Sequence, residues 1–451
     1  MLFNQRRYIP TIMNVSSGKE GSSVQITTKE NIFTGTLLPS QNKNTVVVKL
    51  GNGYNVGIDK NKITKIKILK KSEQIKTKIK KFSQNSKLPK ISILSVGGTI
   101  SSKVDYSTGA VIAKITPGEL LKDIPELTKL ANISYEEVMQ IMSESMRFSH
   151  YNRIAKEVQK ELKKSPQGII ITHGTDTLHY TSAALAFMLE NPSIPILLVG
   201  SQRSSDRGSS DAKSNLLNAV KFILEANFKG VALCMHASSS DDECLILPPT
   251  KTRKLHTSRR DAFKPVNDSE VARVSFAKNK VDIIKSSPVQ NEKFQLKMFK
   301  ENIKVGLLKG HTNLFPENIS CFKGYKGLIL EGTGLGGFPT NEFDSLSKIN
   351  TKNKKELKKL IDSGTIVVMT SQCLFGRVNM NVYSPGRELL NLGVFPGQDM
   401  LPETAFIKLA FLLSNYPKKQ VQELMQKNMV GEINSRILPD QYFEEKERKK
   451  T

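Results

Sequence analysis

From Lys90 onward, short apolar runs of strand length alternate with longer segments of helical periodicity, and this alternation restricts the fold more than any other feature. Residues 91–96 and Gly168–Thr172 have the continuous apolar character of buried strands. Between them, Ile154, Val158 and Leu162 recur at the spacing of a helix with one apolar stripe. Strands that alternate with helices in this way form parallel sheets with right-handed crossovers. We therefore predict an α/β fold with a doubly wound, mostly parallel sheet.

The alternation continues toward the end of the chain after one polar interruption. Residues 286–303 are polar and irregular, which indicates a linker. The pattern thus predicts a larger α/β domain at 91–285 and a smaller one, with C-terminal helices, at 304–451. The further predicted elements are helices at 177–190, 212–226, 352–362 and 403–414, and strands at 194–199, 230–235, 305–308, 327–330 and 365–370.

The N-terminal region has a different pattern, in which turn signals separate short strand-like segments. The predicted strands are 23–27, 32–38, 45–49, 54–58 and 63–69. Short strands at this density are typical of a small all-β barrel, which we assign to residues 1–72. Residues 73–90, which follow, are polar and rich in Lys, and we predict a linker there.

The basic charge of the chain is mostly due to Lys spread over its whole length. A formal net charge of +25 favours proximity to nucleic acid. The densest block, residues 60–90, contains 12 Lys, one acidic residue (Glu73) and one aromatic residue (Phe82). Because aromatic side chains that stack on bases are nearly absent there, we interpret the block as a solvated linker rather than a nucleic-acid clamp.

Other sequence features exclude several classes of protein. The cysteines are sparse and form no CxxC pair, and the histidines show no metal-ligand spacing, so we expect no disulfide framework and no metal site. No GxxxxGK[ST] segment for ATP is present. No apolar run approaches the length of a membrane span, and the first residues lack the apolar run of a secretory signal. We therefore expect a cytoplasmic protein without membrane contact.

Two predicted strands end in turns that place a hydroxyl group directly after glycine. Thr99 follows Gly97-Gly98, and Thr175 follows His173-Gly174. Open α/β sheets bind ligands at the carboxyl ends of their strands. Either turn by itself fits a helix cap. Two such turns at consecutive strand ends favour a hydroxyl nucleophile and an acyl-transfer site.

A threonine nucleophile needs a base beside it, since its hydroxyl is weakly nucleophilic. Asp176 lies in the second turn, and Lys254 lies beyond the predicted strand 230–235. Spacing alone does not distinguish Lys254 from its neighbours Lys251, Arg253 and Arg259. The identity of the base therefore stays open at this level.

The two turns resemble the signature segments of the bacterial-type L-asparaginase/glutaminase family. The matching segments are residues 97–100 and 168–178, within a resemblance that covers about 90–440. Residues 198–206, 253–263 and 371–381, together with 47–58 in the N-terminal region, resemble more narrowly the D subunits of archaeal-type glutamyl-tRNA(Gln) amidotransferases. Two departures are visible, Val96 where the family often has Thr and Gly208 where it usually has Pro, and neither is a catalytic position.

The resemblance implies a catalytic set of Thr99, Thr175, Asp176 and Lys254. Thr99 would attack the carboxamide carbon of glutamine, and Thr175 would act with Lys254 and Asp176 to activate the attacking group or water. The sequence leaves open which of the two threonines is acylated.

The resemblance also implies a set of substrate-binding residues. Ser143 and Glu144 match the turn that binds the substrate in the family, and Tyr106 matches its mobile lid. Glu144 or Asp176 would receive the α-ammonium group. Without the resemblance, Glu144 would be interpreted as a solvated acid at a helix start and Tyr106 as a turn aromatic.

The implied function is that of a glutaminase subunit that releases ammonia for the conversion of Glu-tRNA(Gln) to Gln-tRNA(Gln). A large partner subunit of the E type would use ATP and Mg²⁺ and bind most of tRNA(Gln), and a homodimer of this chain would give an α2β2 complex. The N-terminal barrel would dock or orient the partner, or bind RNA. A free-standing L-asparaginase and a non-enzymatic RNA-binding scaffold are the alternatives.

Overall fold

The computed structural model of this protein describes residues 20–40, 42–51, 54–70, 85–104, 111–113, 123–204, 210–287 and 292–438. None of the helices in these residues has the length and apolar character needed to cross a membrane.

The N-terminal domain is a five-stranded antiparallel sheet with the order β4-β3-β2-β1-β5. Alternate side chains such as Val24, Ile26, Val46 and Val48 are buried in a small core, because successive residues of a strand point to opposite faces. The predicted all-β domain is thereby confirmed. Its strands are β1 (Ser23–Thr28), β2 (Ile32–Leu38), β3 (Thr45–Leu50), β4 (Asn55–Asp59) and β5 (Ile63–Lys70).

The larger α/β region is built on an eight-stranded sheet. Its strands, from one edge to the other, are β9 (Asn132–Ile141), β6 (Lys90–Gly97), β10 (Gly168–Thr172), β12 (Pro195–Val199), β13 (Gly230–His236), β14 (Cys244–Leu247), β17 (Ala272–Ser275) and β18 (Lys280–Ile283). The first five strands are parallel, and the last three are added in antiparallel pairings.

Helices cover both faces of this sheet, which confirms the doubly wound arrangement. Leu94, Ile169 and Ile171 belong to the core on one face, whereas Ile93 and Ile170 belong to the core on the other. The helices of this region are α1 (Leu127–Leu130), α2 (Phe148–Leu162), α3 (Leu178–Met188) and α4 (Ala212–Glu225). The small strands outside the main sheet are β7 (Ser102–Val104), β8 (Val111–Ala113), β11 (Leu189–Glu190), β15 (Thr252–Lys254), β16 (Phe263–Pro265) and β19 (Gln295–Leu296).

The smaller α/β region has a four-stranded parallel sheet with the order β20-β21-β22-β23. Its strands are β20 (Val305–Lys309), β21 (Gly327–Gly332), β22 (Ile366–Ser371) and β23 (Val394–Pro396), and its helices are α5 (Glu317–Ser320), α6 (Asn350–Asp362), α7 (Ser384–Leu392), α8 (Pro402–Asn415) and α9 (Lys418–Met425). Helix α8 packs on both α3 and β21, so it joins the two sheets through one core. The pair of α/β domains is confirmed, while the exact boundaries of the domains and linkers stay predictions.

A buried ion pair also joins the two regions. The Lys251 Nζ donates to Asp399 Oδ2 at 2.7 Å and to the Asp399 carbonyl at 3.0 Å, and both side chains are fully buried. Burial lowers the pKa of the Lys251 amine, and the Asp399 carboxylate acts in the opposite direction. Removal of one member of such a pair leaves an uncompensated charge in the interior.

We expect Lys251→Met to lower the free energy of unfolding by about 3 kcal/mol, since the buried Asp399 carboxylate then loses its ammonium partner and keeps only the more distant Arg377 guanidinium, at 3.5 Å. Denaturant unfolding followed by circular dichroism measures this change. The matched control is Lys160→Met, because Lys160 pairs with Glu157 on the exposed surface of α2 and should change stability by less than about 1 kcal/mol. Equal stability of the two variants would show that the buried pair does not hold the regions together.

Candidate active site

The turns after β6 and β10 lie against each other at the carboxyl edge of the large sheet. The two strands pair in parallel, and a Cβ placed on Gly98 would lie only 2.3 Å from the Cα and the N of Gly174. Gly98 also has a φ of +79°, a conformation that side chains disfavour. The close approach therefore requires glycine, and it brings Thr99 and Thr175 to neighbouring positions.

Lys254, Thr175 and Asp176 form a hydrogen-bonded network at the second of these turns. The Lys254 Nζ donates to Thr175 Oγ1 at 2.9 Å and to Asp176 Oδ1 at 2.7 Å. Thr175 is only 6% exposed, whereas the Asp176 side chain is 66% exposed. The network thus has its hydroxyl end in the interior and its carboxylate end at the surface.

A short hairpin carries Lys254 to this position and directs its basic neighbours elsewhere. Lys254 ends β15, which pairs with β16 in antiparallel fashion. Lys251 is buried against Asp399, and Arg253 binds Glu403 at the start of α8 with an N–O distance of 3.1 Å. Arg259 pairs with Asp261. Of the four basic residues that spacing left equivalent, Lys254 is the one in contact with Thr175.

The two histidines near the site are uncharged. Burial lowers the pKa of His173 to about 4. Burial lowers the pKa of His179 to about 3, with a further contribution from the nearby Arg253 and Lys254. The His173 Nδ1–H donates to the Gly174 carbonyl at 2.7 Å, so its Nε2 accepts from the Thr181 hydroxyl at 2.9 Å. Both nitrogens of His173 are therefore used to hold the turn.

Ser143 packs directly against the second turn. It is 3% exposed, and a Cβ on Gly174 would lie 2.8 Å from the Ser143 Cβ and Oγ. The Thr177 hydroxyl donates to the Ser143 carbonyl at 2.6 Å. Glu144 follows on the same 3-10 turn and is exposed. The remaining predicted residue, Tyr106, lies outside the described residues, as does Gly208.

A third strand end contributes a residue that the sequence analysis did not single out. The Thr175 hydroxyl donates to Gln202 Oε1 at 3.4 Å, from the loop that follows β12. Gly200 permits this, because a Cβ there would lie 2.9 Å from the Thr175 Cγ2. In the sequence, residues 198–206 were noted only for their resemblance to the family. Gln202 follows the strand β12, which is parallel to β10, so its position at the same edge of the sheet could have identified it as a candidate.

The network can activate a hydroxyl group. An amine in its neutral form accepts a hydroxyl proton, and a carboxylate beside it stabilises the ammonium that results. The site lies just before the N-terminus of α3, where backbone N–H groups stabilise negative charge. Among the described residues, no three His, Cys, Asp or Glu side chains are grouped so that they could hold a metal ion.

Three family models match the chain. The model described as "Asparaginase, N-terminal" matches residues 90–289, and "Glutaminase/Asparaginase C-terminal domain" matches residues 304–425. The model described as "GatD N-terminal domain" matches residues 19–69. The matches thus extend over the N-terminal sheet and over both α/β regions.

The D subunits of several glutamyl-tRNA(Gln) amidotransferases are similar over nearly the whole chain. The chain is 44% identical to the D subunit of the glutamyl-tRNA(Gln) amidotransferase of Methanococcus maripaludis over 424 residues, which cover 92% of this chain and 98% of the relative. The corresponding D subunit of Archaeoglobus fulgidus is 41% identical over a match that covers 93% of this chain and 97% of the relative.

Among solved structures, the thermostable L-asparaginase of Thermococcus kodakarensis has a TM-score of 0.68 and 28% identity, and it covers 77% of this chain and 100% of its own. The L-asparaginase I of Vibrio cholerae has a TM-score of 0.66 and 26% identity, and the match covers 77% of this chain and 99% of the asparaginase chain.

Proposed function

Because this chain belongs to the family of glutamyl-tRNA(Gln) amidotransferase D subunits, we propose that the network of Thr175, Lys254 and Asp176 is its glutaminase site. The chain is a glutaminase subunit of a Glu-tRNA(Gln) amidotransferase. The observation that carries the site assignment is the pair of hydrogen bonds from Lys254 to Thr175 and Asp176.

The reaction that we propose begins with attack of the Thr99 hydroxyl oxygen on the carboxamide carbon of glutamine. Lys254 in its neutral form takes up the released proton through Thr175, and Asp176 stabilises the ammonium that forms. Backbone N–H groups of the two turns stabilise the oxyanion, each by about 2.7–4 kcal/mol. The proton then passes to the departing nitrogen, the carbon–nitrogen bond breaks, and ammonia leaves. Water finally hydrolyses the glutamyl ester.

The α-groups of glutamine need a carboxylate for the ammonium and donors for the carboxylate. We propose Glu144 or Asp176 for the ammonium, Ser143 for the substrate-binding turn, and Tyr106 for the lid. Ser143 packs on the same turn that precedes Thr175, which supports its assignment. Glu144 adjoins it in sequence.

The ammonia would be consumed by a second subunit. A large subunit of the E type would use ATP and Mg²⁺ to activate the glutamate on tRNA(Gln) and would bind most of that tRNA, while two copies of each chain would form an α2β2 complex in the cytoplasm. The neutral form of ammonia is scarce near pH 7, so local production supports a direct transfer between subunits. In this arrangement, the N-terminal sheet docks or orients the partner.

Dependence on the partner is the test of this function. We expect the purified chain to release ammonia slowly from glutamine and to be accelerated at least about tenfold by the partner subunit together with Glu-tRNA(Gln), which corresponds to about 1.4 kcal/mol of activation free energy. Ammonia release is measured with glutamine and with asparagine. Partner with a non-cognate tRNA is the control. Fast hydrolysis of asparagine that is independent of the partner would instead indicate a free-standing asparaginase.

A further inference from the structure

The loop that carries Gln202 is fixed by buried polar groups at the N-terminal end of α4. The backbone N–H groups of Gln202 and Arg203 donate to the Asp211 carboxylate at 2.9–3.1 Å, and Asp211 is fully buried. The Asn215 Nδ2 donates to the Gly200 carbonyl at 2.9 Å. A buried carboxylate that is satisfied by backbone donors holds them in place, because an unsatisfied charge would be costly. The backbone at Gln202 is therefore preorganised.

A count of donors and acceptors at Thr175 shows what Gln202 does there. A threonine hydroxyl has one proton to donate, and an ammonium group has only donors. Lys254 donates to the Thr175 oxygen at 2.9 Å, so the Thr175 proton must be directed to another acceptor. Gln202 Oε1 accepts it at 3.4 Å. Gln202 thus fixes the rotation of the hydroxyl group while Lys254 is protonated.

The other end of the Gln202 amide is unpaired. The Nε2 atom is buried and has no hydrogen-bond partner among the described residues. Buried amide donors in folded proteins nearly always have a partner, and a lost partner costs free energy. This unpaired donor lies on the same amide group that contacts Thr175.

We propose that Gln202 is a positioning residue of the glutaminase reaction, whose Oε1 accepts the Thr175 proton while Lys254 is protonated and whose Nε2 donates a hydrogen bond to an oxygen atom of bound glutamine. The proposal rests on the proposed function of Thr175 and Lys254. It adds a third strand end, that of β12, to the two that supply Thr99 and Thr175.

The first test is Gln202→Leu, which keeps the approximate size of the side chain and removes both hydrogen bonds. We expect KM for glutamine to rise about tenfold, with a smaller fall in kcat for ammonia release, since the lost hydrogen bond to bound glutamine contributes on this scale. Ser204→Ala is the matched control, because Ser204 lies on the same loop and its buried hydroxyl is also unpaired within the described residues. It should retain both constants and the thermal unfolding midpoint.

The second test, Gln202→Glu, separates positioning from a structural role and stays informative if the Leu variant folds poorly. The carboxylate keeps the acceptor but adds a negative charge beside Lys254, whose charged or titratable neighbours among the described residues include Asp176, Arg253 and His179. A negative charge favours the protonated form of a neighbouring amine. We therefore expect the limb of the pH–rate profile that reports deprotonation of the base to move to higher pH.

The outcomes distinguish this proposal from the proposed function. Wild-type kcat and KM in a folded Gln202→Leu variant, or an unshifted pH–rate profile in Gln202→Glu, would overturn the role of Gln202. If Lys254→Arg is inactive in the same assay, the assignment of Thr175, Lys254 and Asp176 as the glutaminase site is still supported. If Lys254→Arg is also fully active, the failure lies in the proposed function.

Discussion

Replacement of Lys254 by arginine is expected to abolish ammonia release from glutamine. The guanidinium group keeps the positive charge and the donors that bind Thr175 and Asp176, but it does not lose its proton in proteins. A base that cannot be deprotonated cannot take up the hydroxyl proton. General base catalysis contributes about 10²–10⁴-fold, so we expect a loss of at least about 10²-fold in kcat, measured as ammonia release with the complete complex.

The matched control for this substitution is Lys264→Arg. Lys264 lies opposite Arg253 in the same hairpin and donates to the Ala237 carbonyl at 2.7 Å. The chemical change is identical, but Lys264 is not part of the proposed network of Thr175, Asp176 and Lys254, so activity should be retained. Full glutaminase activity of Lys254→Arg would refute the role of Lys254 as the base.

We expect Thr175→Val to lower kcat by about 10³-fold or more while the protein remains folded. Valine has nearly the same shape as threonine and lacks the hydroxyl that links Lys254 to the reaction. When residues act together in catalysis, removal of one of them abolishes most of the rate enhancement that they give together. Thr175→Ser keeps the hydroxyl and serves as the control, with activity within about tenfold of the wild type. Ammonia release and the thermal unfolding midpoint are measured in parallel. An active Thr175→Val variant would favour a non-enzymatic role.

The combination of Lys254→Arg with Thr175→Val tests whether Lys254 and Thr175 act as one unit. Because Lys254 would act through Thr175, the double variant should be about as inactive as either single variant rather than the product of the two losses. The acylated residue is found by intact-mass and peptide mass spectrometry of wild-type enzyme quenched during turnover. We expect the glutamyl ester on Thr99, and an ester on Thr175 would exchange the roles of the two threonines.

Much of the α/β fold was predictable because its signals are local. The strand Gly168–Thr172 is buried on both faces, so it is a continuous apolar run that can be recognised without its neighbours. The edge strand Asn132–Ile141 was missed because it contains polar residues such as Glu136 and Glu137, which a buried strand would not tolerate. The short antiparallel strands β14, β17 and β18 were also missed, since their pairing depends on partners distant in the chain.

The adjacency of the two threonine turns followed from the sequence, whereas their catalytic role stays a prediction. Parallel neighbouring strands end at the same edge of a sheet, and the contact between Gly98 and Gly174 agrees with this rule. The contact of Gln202 with Thr175 was not predictable in the same way. It depends on a side-chain direction that the buried Asp211 fixes through the backbone.

The sequence by itself determined the alternation of strands and helices, the N-terminal all-β region and the placement of Thr99 and Thr175 at strand ends, because periodicity and turn chemistry depend on neighbouring residues. Only the tertiary structure decided which basic residue meets Thr175. Lys251, Arg253 and Lys254 are close in sequence but contact Asp399, Glu403 and Thr175, respectively. The direction of each side chain is set by how the β15–β16 hairpin packs between the two α/β regions, and this packing depends on contacts with residues far away in the chain.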